Sequence, residues 1–82
     1  MIRLRVKEIA EEKKISMTRL ARIADVDYKT VRKIFRNPNA EIGLITLDKL
    51  AWALQVEPAD LIEYKRTPPA YWQELQGADE DP

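Results

Sequence analysis

Cysteine and histidine are absent from these 82 residues, and serine occurs once, at Ser16. Without cysteine there is no disulfide and no thiolate metal site. Without histidine, and with one hydroxyl of serine type, the usual pairings of nucleophile and base cannot be assembled. The acidic side chains are scattered along helix-like stretches and show no metal-loop spacing, so no enzyme, metal or cofactor is expected. Long hydrophobic runs are missing too. The opening "MIRLRVKEIAEE" carries a charge every second or third residue, which suits neither a signal peptide nor a membrane span. The expectation is a soluble cytoplasmic protein with no membrane contact, of a length that suits one domain with a modest core. No internal repeat or low-complexity tract interrupts it.

What is present is a segregation of charge. Lys+Arg and Asp+Glu balance at fourteen each, for a formal net charge of zero. Residues 1–36, however, hold eleven bases and five acids, a net +6, and residues 37–82 hold three and nine, a net −6. A positive face and an acidic remainder are implied, and local potential, not the overall balance, decides whether a polyanion is attracted.

Apolar positions follow the helical period throughout. Val6, Ile9 and Ala10 predict a first helix over residues 5–14, with Ile2 and Leu4 extending or bracing its start. Ser16 is an N-cap for a second helix, 17–24, whose Leu20, Ala21 and Ala24 share one face. "DVD" breaks it, and Asp27 caps a third helix, 28–36, stopped by Asn37-Pro38 because the residue before proline disfavours helix. A loop through Gly43 leads to a fourth helix, 46–54, capped by Thr46 and striped by Leu47, Leu50, Ala51 and Leu54. Pro58 opens a short fifth helix, 58–64, with Glu57 as a weak cap. The fold class is therefore all-α: a compact five-helix domain over 1–66, followed by a Pro-, aromatic- and acid-rich tail over 67–82, expected to be partly disordered.

The third helix carries the chemistry. On a helix turning about 100° per residue, Tyr28, Lys29, Arg32, Lys33 and Arg36 fall within one arc of roughly 140°. Val31, Ile34 and Phe35 occupy the other side, and no acid stands between Asp27 and Asn37. A merely solvated helix would mix acids among its bases. The second helix, only three residues away, turns Leu20, Ala21 and Ala24 inward and leaves Arg19 and Arg22 outside. Two short helices joined by a tight turn, with small residues between them, form a helix-turn-helix. The second helix of such a pair enters the major groove.

"MTRLARIADVDYKTVRKIFRN" resembles the helix-turn-helix of the lambda-repressor-like (Cro/C1, XRE) family of DNA-binding domains. Leu20-Ala21, Ala24, Val26, Val31 and Ile34 match its pattern, and "TLDKLAWALQVEPADLIEY" is similar to its fourth and fifth helices. The resemblance covers residues 3–64. It implies that Tyr28, Lys29, Arg32 and Lys33 face bases of double-stranded DNA. It places Ser16, Met17, Thr18, Thr30, Arg36 and Asn37 near the DNA backbone. It implies a transcriptional regulator, read here as a repressor, acting in the cytoplasm on the nucleoid. This chain departs from the family at Met17, where glutamine is frequent and a thioether cannot donate the same hydrogen bonds. It departs again at Lys14, Asp25 and Gln55, helix ends where glycine is usual. Each costs about 1 kcal/mol or more if it keeps the left-handed cap conformation.

Trp52 lies away from the apolar stripe of its helix, and an isolated exposed tryptophan needs a partner. Tyr71 and Trp72 of the tail could cover it. A second copy of the chain could also cover it, giving a homodimer with two-fold readout of a palindromic site. An alternative function belongs to a different class: a protein-interaction module, such as a toxin-neutralising antitoxin, that grips its partner with the tail.

Overall fold

A two-stranded antiparallel ribbon joins the two ends of the described chain, residues 1–66 of the computed structural model. Strand β1 (Ile2–Leu4) pairs with β2 (Ile62–Tyr64) in the register Ile2 to Tyr64, Arg3 to Glu63 and Leu4 to Ile62. Between them run four α-helices: α1 (Val6–Glu12), α2 (Met17–Ala24), α3 (Tyr28–Arg36) and α4 (Leu44–Leu54). A single 3₁₀ turn, Pro58–Leu61, precedes β2.

The ribbon corrects two expectations. Ile2 and Leu4 do not extend the first helix, and there is no fifth helix over 58–64, so the fold is mostly helical rather than all-α. Its strands are held by partners far away in sequence. The Leu4 amide donates to the Pro38 carbonyl at 2.7 Å and the Arg5 amide to the Leu61 carbonyl at 2.8 Å. Arg3 Nη1 meets Glu63 Oε2 across the ribbon at 3.2 Å. Proline fits the first turn after Glu57, whose amide donates to Asp60 Oδ2 at 3.0 Å. Ile62 then takes extended backbone, which suits a β-branched side chain, and joins β1 instead of continuing the turn. The boundaries of two helices also move. α1 is shorter than predicted, ending at Glu12, and α4 begins two residues earlier, with Gly43 in place of Thr46 as its N-cap and no side-chain cap bond. Leu44 and Ile45 are acceptable helix formers, and nothing at those positions stops the helix from starting there.

The inward faces are those the periodicity marks. Val6, Ile9 and Ala10 of α1, Leu20, Ala21 and Ala24 of α2, and Val31 and Ile34 of α3 are buried, and Leu50 and Leu54 of α4 are fully so. Leu4 and Leu61 close the core from the ribbon side. No polar or charged residue is buried among the described residues, so the core carries no desolvation penalty of that kind. α2 is the central helix and packs against both α3 and α4.

Helix ends follow one repeated device. Lys14, Asp25 and Gln55 all have φ between 56° and 58°. The amide of each next residue reaches back five positions: Ile15 to the Ala10 carbonyl at 2.8 Å, Val26 to Ala21 at 3.0 Å and Val56 to Ala51 at 3.0 Å. The left-handed residues' own amides bond three positions back, to Glu11, Arg22 and Trp52. These are three Schellman motifs, and in each the aliphatic side chain that follows packs against the core. Without glycine, the three together cost about 3 kcal/mol relative to relaxed backbone. Helix starts are more conventional for α2 and α3. Ser16 Oγ accepts from the Arg19 amide at 3.2 Å, and Asp27 Oδ1 accepts from the Lys29 amide at 3.1 Å.

Two opposite stability effects are expected. Lys14→Gly relieves a strained cap at a side chain with no hydrogen bond or ion pair among the described residues, and should stabilise by about 1 kcal/mol, raising Tm by about 4–8 °C. An unchanged or lower Tm in a thermal melt would contradict the strain. Asp27→Ala removes the α3 cap and should cost about 1 kcal/mol, whereas Asp27→Asn should be nearly neutral. Equal melting of the alanine and asparagine variants would show that the cap bond contributes nothing.

Candidate nucleic-acid interface

α2 and α3 are joined by Asp25, Val26 and Asp27 alone. Asp25 turns the chain through its left-handed conformation, Val26 tucks into the core and Asp27 restarts the helix. Leu20, Ala21 and Ala24 then meet Val31 and Ile34, and the alanines keep the two axes close. Burial of Val31 and Ile34 fixes how α3 is rotated about its axis. The opposite arc is thereby held in solvent.

On that arc Tyr28, Lys29, Arg32, Lys33 and Arg36 are exposed, as the sequence predicts. Lys29, Arg32, Lys33 and Arg36 line one shallow cleft together with Asn37. Among the described residues the ion pairs are Arg3–Glu8, Arg3–Glu63 and Arg5–Glu8, so none of these four cations is neutralised by an acidic side chain there. Lys33 and Arg36 also stand in the last turn of α3, where positive charge offsets the negative end of the helix dipole. Among the described residues the field of the arc is therefore positive, with no acidic side chain paired to it.

The remaining predicted residues fall around its edges. Ser16 and Thr18 are exposed at the start of α2. Ser16 Oγ is occupied as a cap acceptor, which leaves its proton available to donate. Met17 is half-buried and packs against the core, so it anchors the start of α2 instead of offering a polar contact. Thr30 is half-buried in the first turn of α3, its amide donating to the Asp27 carbonyl at 3.0 Å. Asn37 ends α3, and its Oδ1 accepts from the Asn39 amide at 3.1 Å, shaping the turn. Asn39 Nδ2 in turn donates to the Ile2 carbonyl at 2.9 Å, tying that turn to the ribbon.

Arg3 and Arg5, which lie early in the basic half of the chain, belong to a separate cluster with Glu8 and Glu63. The Arg3 guanidinium hydrogen-bonds Glu8 and holds its carboxyl below the usual glutamate range, and Glu8 in return raises Arg3. These charges are spent on the ribbon. Lys49 was missed by sequence reading. From α4 its Nζ donates to the Asp25 carbonyl at 3.3 Å, bracing the turn of the helix-turn-helix. The only signal was its place as the lone base on a mostly apolar helix.

Trp52 is 73% exposed. Tyr71 and Trp72, proposed as its cover, lie outside the described residues, as does the whole of the acidic tail. No described helix is long and apolar enough to cross a membrane. The described residues contain no cluster of three or more acidic side chains placed to hold a metal ion.

The architecture recurs in solved structures. The restriction-modification controller protein C.AhdI of Aeromonas hydrophila is 28% identical with a TM-score of 0.63, over 68% of this chain and 83% of that one. A chain of the complex of the SinR and SinI proteins is 27% identical with a TM-score of 0.68, over 94% of this chain and 76% of that one. Comparison with curated protein sequences finds no match. The family model of the Cro/C1-type helix-turn-helix DNA-binding domain matches residues 5–67, which span the caps, the turn and the basic helix described above, and the chain belongs to that family.

Proposed function

We propose that the chain is a sequence-specific binder of double-stranded DNA, acting in the cytoplasm as a transcriptional regulator that represses by occupying its operator. One observation carries the reading: α3 holds four cations on an exposed arc without acidic partners among the described residues, while Val31 and Ile34 lock its other side. In the groove, Arg32 suits bidentate contact with guanine O6 and N7, and Lys29 and Lys33 can donate to the same atoms. Tyr28, at the first turn, offers a hydroxyl to a base or phosphate and a ring face to a thymine methyl. Arg36 at the far end meets the backbone, as do Thr18, Thr30, Asn37 and the hydroxyl of Ser16. Met17 serves there by packing, so its place in the phosphate contact is taken by backbone amides at the start of α2. No catalytic step belongs to this reading, and the domain that performs it is residues 1–66.

Base contacts and phosphate contacts separate in experiment. Duplexes selected from a random library should yield a preferred sequence. Against it, Lys33→Ala should cost about 1–3 kcal/mol and relax preference at one position. Arg36→Ala should weaken all sequences alike and reduce the salt slope by about one. Binding measured by fluorescence anisotropy at low salt that is unaltered in Lys29→Ala and Lys33→Ala would remove α3 from the groove.

A further inference from the structure

Residues 1–66 and 67–82 carry opposite charge. The first hold fourteen bases and ten acids, a net +4, and the second hold Glu74, Asp79, Glu80 and Asp81 with no base, a net −4. On α3, Lys29, Arg32, Lys33 and Arg36 line one cleft and have no acidic partner among the described residues. The described chain ends close to that cleft. The Lys65 amide donates to the Met1 carbonyl at 3.1 Å, which keeps residue 65 on the ribbon. β1 pairs with β2 along one edge. Along its other edge the Leu4 amide donates to the Pro38 carbonyl at 2.7 Å, and the Ile2 carbonyl accepts from Asn39 Nδ2 at 2.9 Å. β1 therefore lies between β2 and the turn that ends α3, and Asn37 of that turn is itself part of the cleft. Two spacings of extended chain, about 10 Å, separate that turn from the strand where the tail departs.

We propose that the acidic tail, residues 67–82, occupies the α3 cleft through Glu74, Asp79, Glu80 and Asp81 and competes there with nucleic-acid phosphates. The competition rests on the DNA-binding reading; the docking does not. Chain length permits it. Fully extended, the stretch from Arg66 reaches about 26 Å at Glu74 and about 45 Å at Asp79. The cations from Arg36 back to Lys29 cover only about 10 Å of helix axis. Carboxylates and phosphates are bound by the same guanidinium and ammonium groups. Exposed ion pairs are individually weak and screened by salt, but a short tether holds the acids at millimolar effective concentration. Cations already paired with the tail release fewer counterions when a duplex replaces it, so the tail also makes the salt dependence of binding shallower.

The chain has no cysteine, so Ala78→Cys accepts a single nitroxide label beside Asp79 in the full chain. Without DNA, broadening of amide signals at low salt should concentrate on residues 29–37. It should fade at about 0.5 M salt, where screening acts within about 4 Å. Glu74→Gln, Asp79→Asn, Glu80→Gln and Asp81→Asn together in the labelled chain should abolish it. Broadening centred on Lys13, Arg19 and Trp52, or unchanged by neutralisation, would overturn the docking. In a separate titration with a duplex of random sequence, the neutralised tail should give about fivefold tighter binding at low salt and a steeper salt slope. Glu11→Gln, Glu12→Gln and Glu41→Gln together alter charge away from the tail and should give less than about twofold. A gain from the neutralised tail no larger than that would overturn the competition. Docking of the label on α3 in a chain that binds no duplex would overturn the DNA-binding reading and, with it, the competition.

Discussion

The left-handed backbone at Asp25 is the constraint on which the interface depends. With φ 56° and ψ 48° it reverses the chain between α2 and α3 in three residues. Val26 is thereby brought to the core and Asp27 to the N-cap of α3. An aspartate tolerates this conformation better than most residues other than glycine and asparagine. Two further interactions hold it: the bond from Val26 to the Ala21 carbonyl and the approach of Lys49 from α4. If the turn relaxed, the cap and the rotation of α3 would go with it, since both follow from where residue 27 restarts the helix. Surface chemistry on α3 is thus set by backbone geometry on the other side of the turn.

Charge is distributed to the same end. A chain with no net charge can still present a strongly positive surface if its acids are occupied elsewhere. Glu8 and Glu63 are occupied by Arg3 and Arg5, in an exposed cluster at the ribbon. Exposed pairs of this kind contribute little to stability and are weakened by salt. Their larger effect is arithmetic: Arg3 and Arg5 are neutralised locally, whereas the cations on α3 have no acidic partner among the described residues.

Much of the local geometry of the candidate interface was legible in the sequence because its signals are local. Ser16 and Asp27 act as caps because each bonds an amide two or three residues away, and a helical stripe such as Leu20, Ala21 and Ala24 repeats within one turn. The left-handed positions at Lys14, Asp25 and Gln55 came from the resemblance, as helix ends where the family usually has glycine. The ribbon was not legible. Each strand has three residues, too few to show alternation, and each is stabilised by a partner sixty residues away. Residues 62–64 therefore read as a continuation of the turn before them. The brace from Lys49 to Asp25 escaped for the same reason, since a contact between α4 and the turn has no trace in local spacing.

α4 carries apolar side chains on both its inner and its outer face. Its buried Leu50 and Leu54 stand at the centre of a small core, and a domain of this size buries a limited fraction of its surface. Three strained helix ends reduce the margin further. A surface helix under no other demand would put polar residues opposite Leu50, yet Leu44, Ile45 and Trp52 stand in water there. Those side chains add nothing to the folded monomer, and they raise the risk of non-specific association. α2 packs on both α4 and α3, so the core that α4 anchors is continuous with the helix proposed to read DNA.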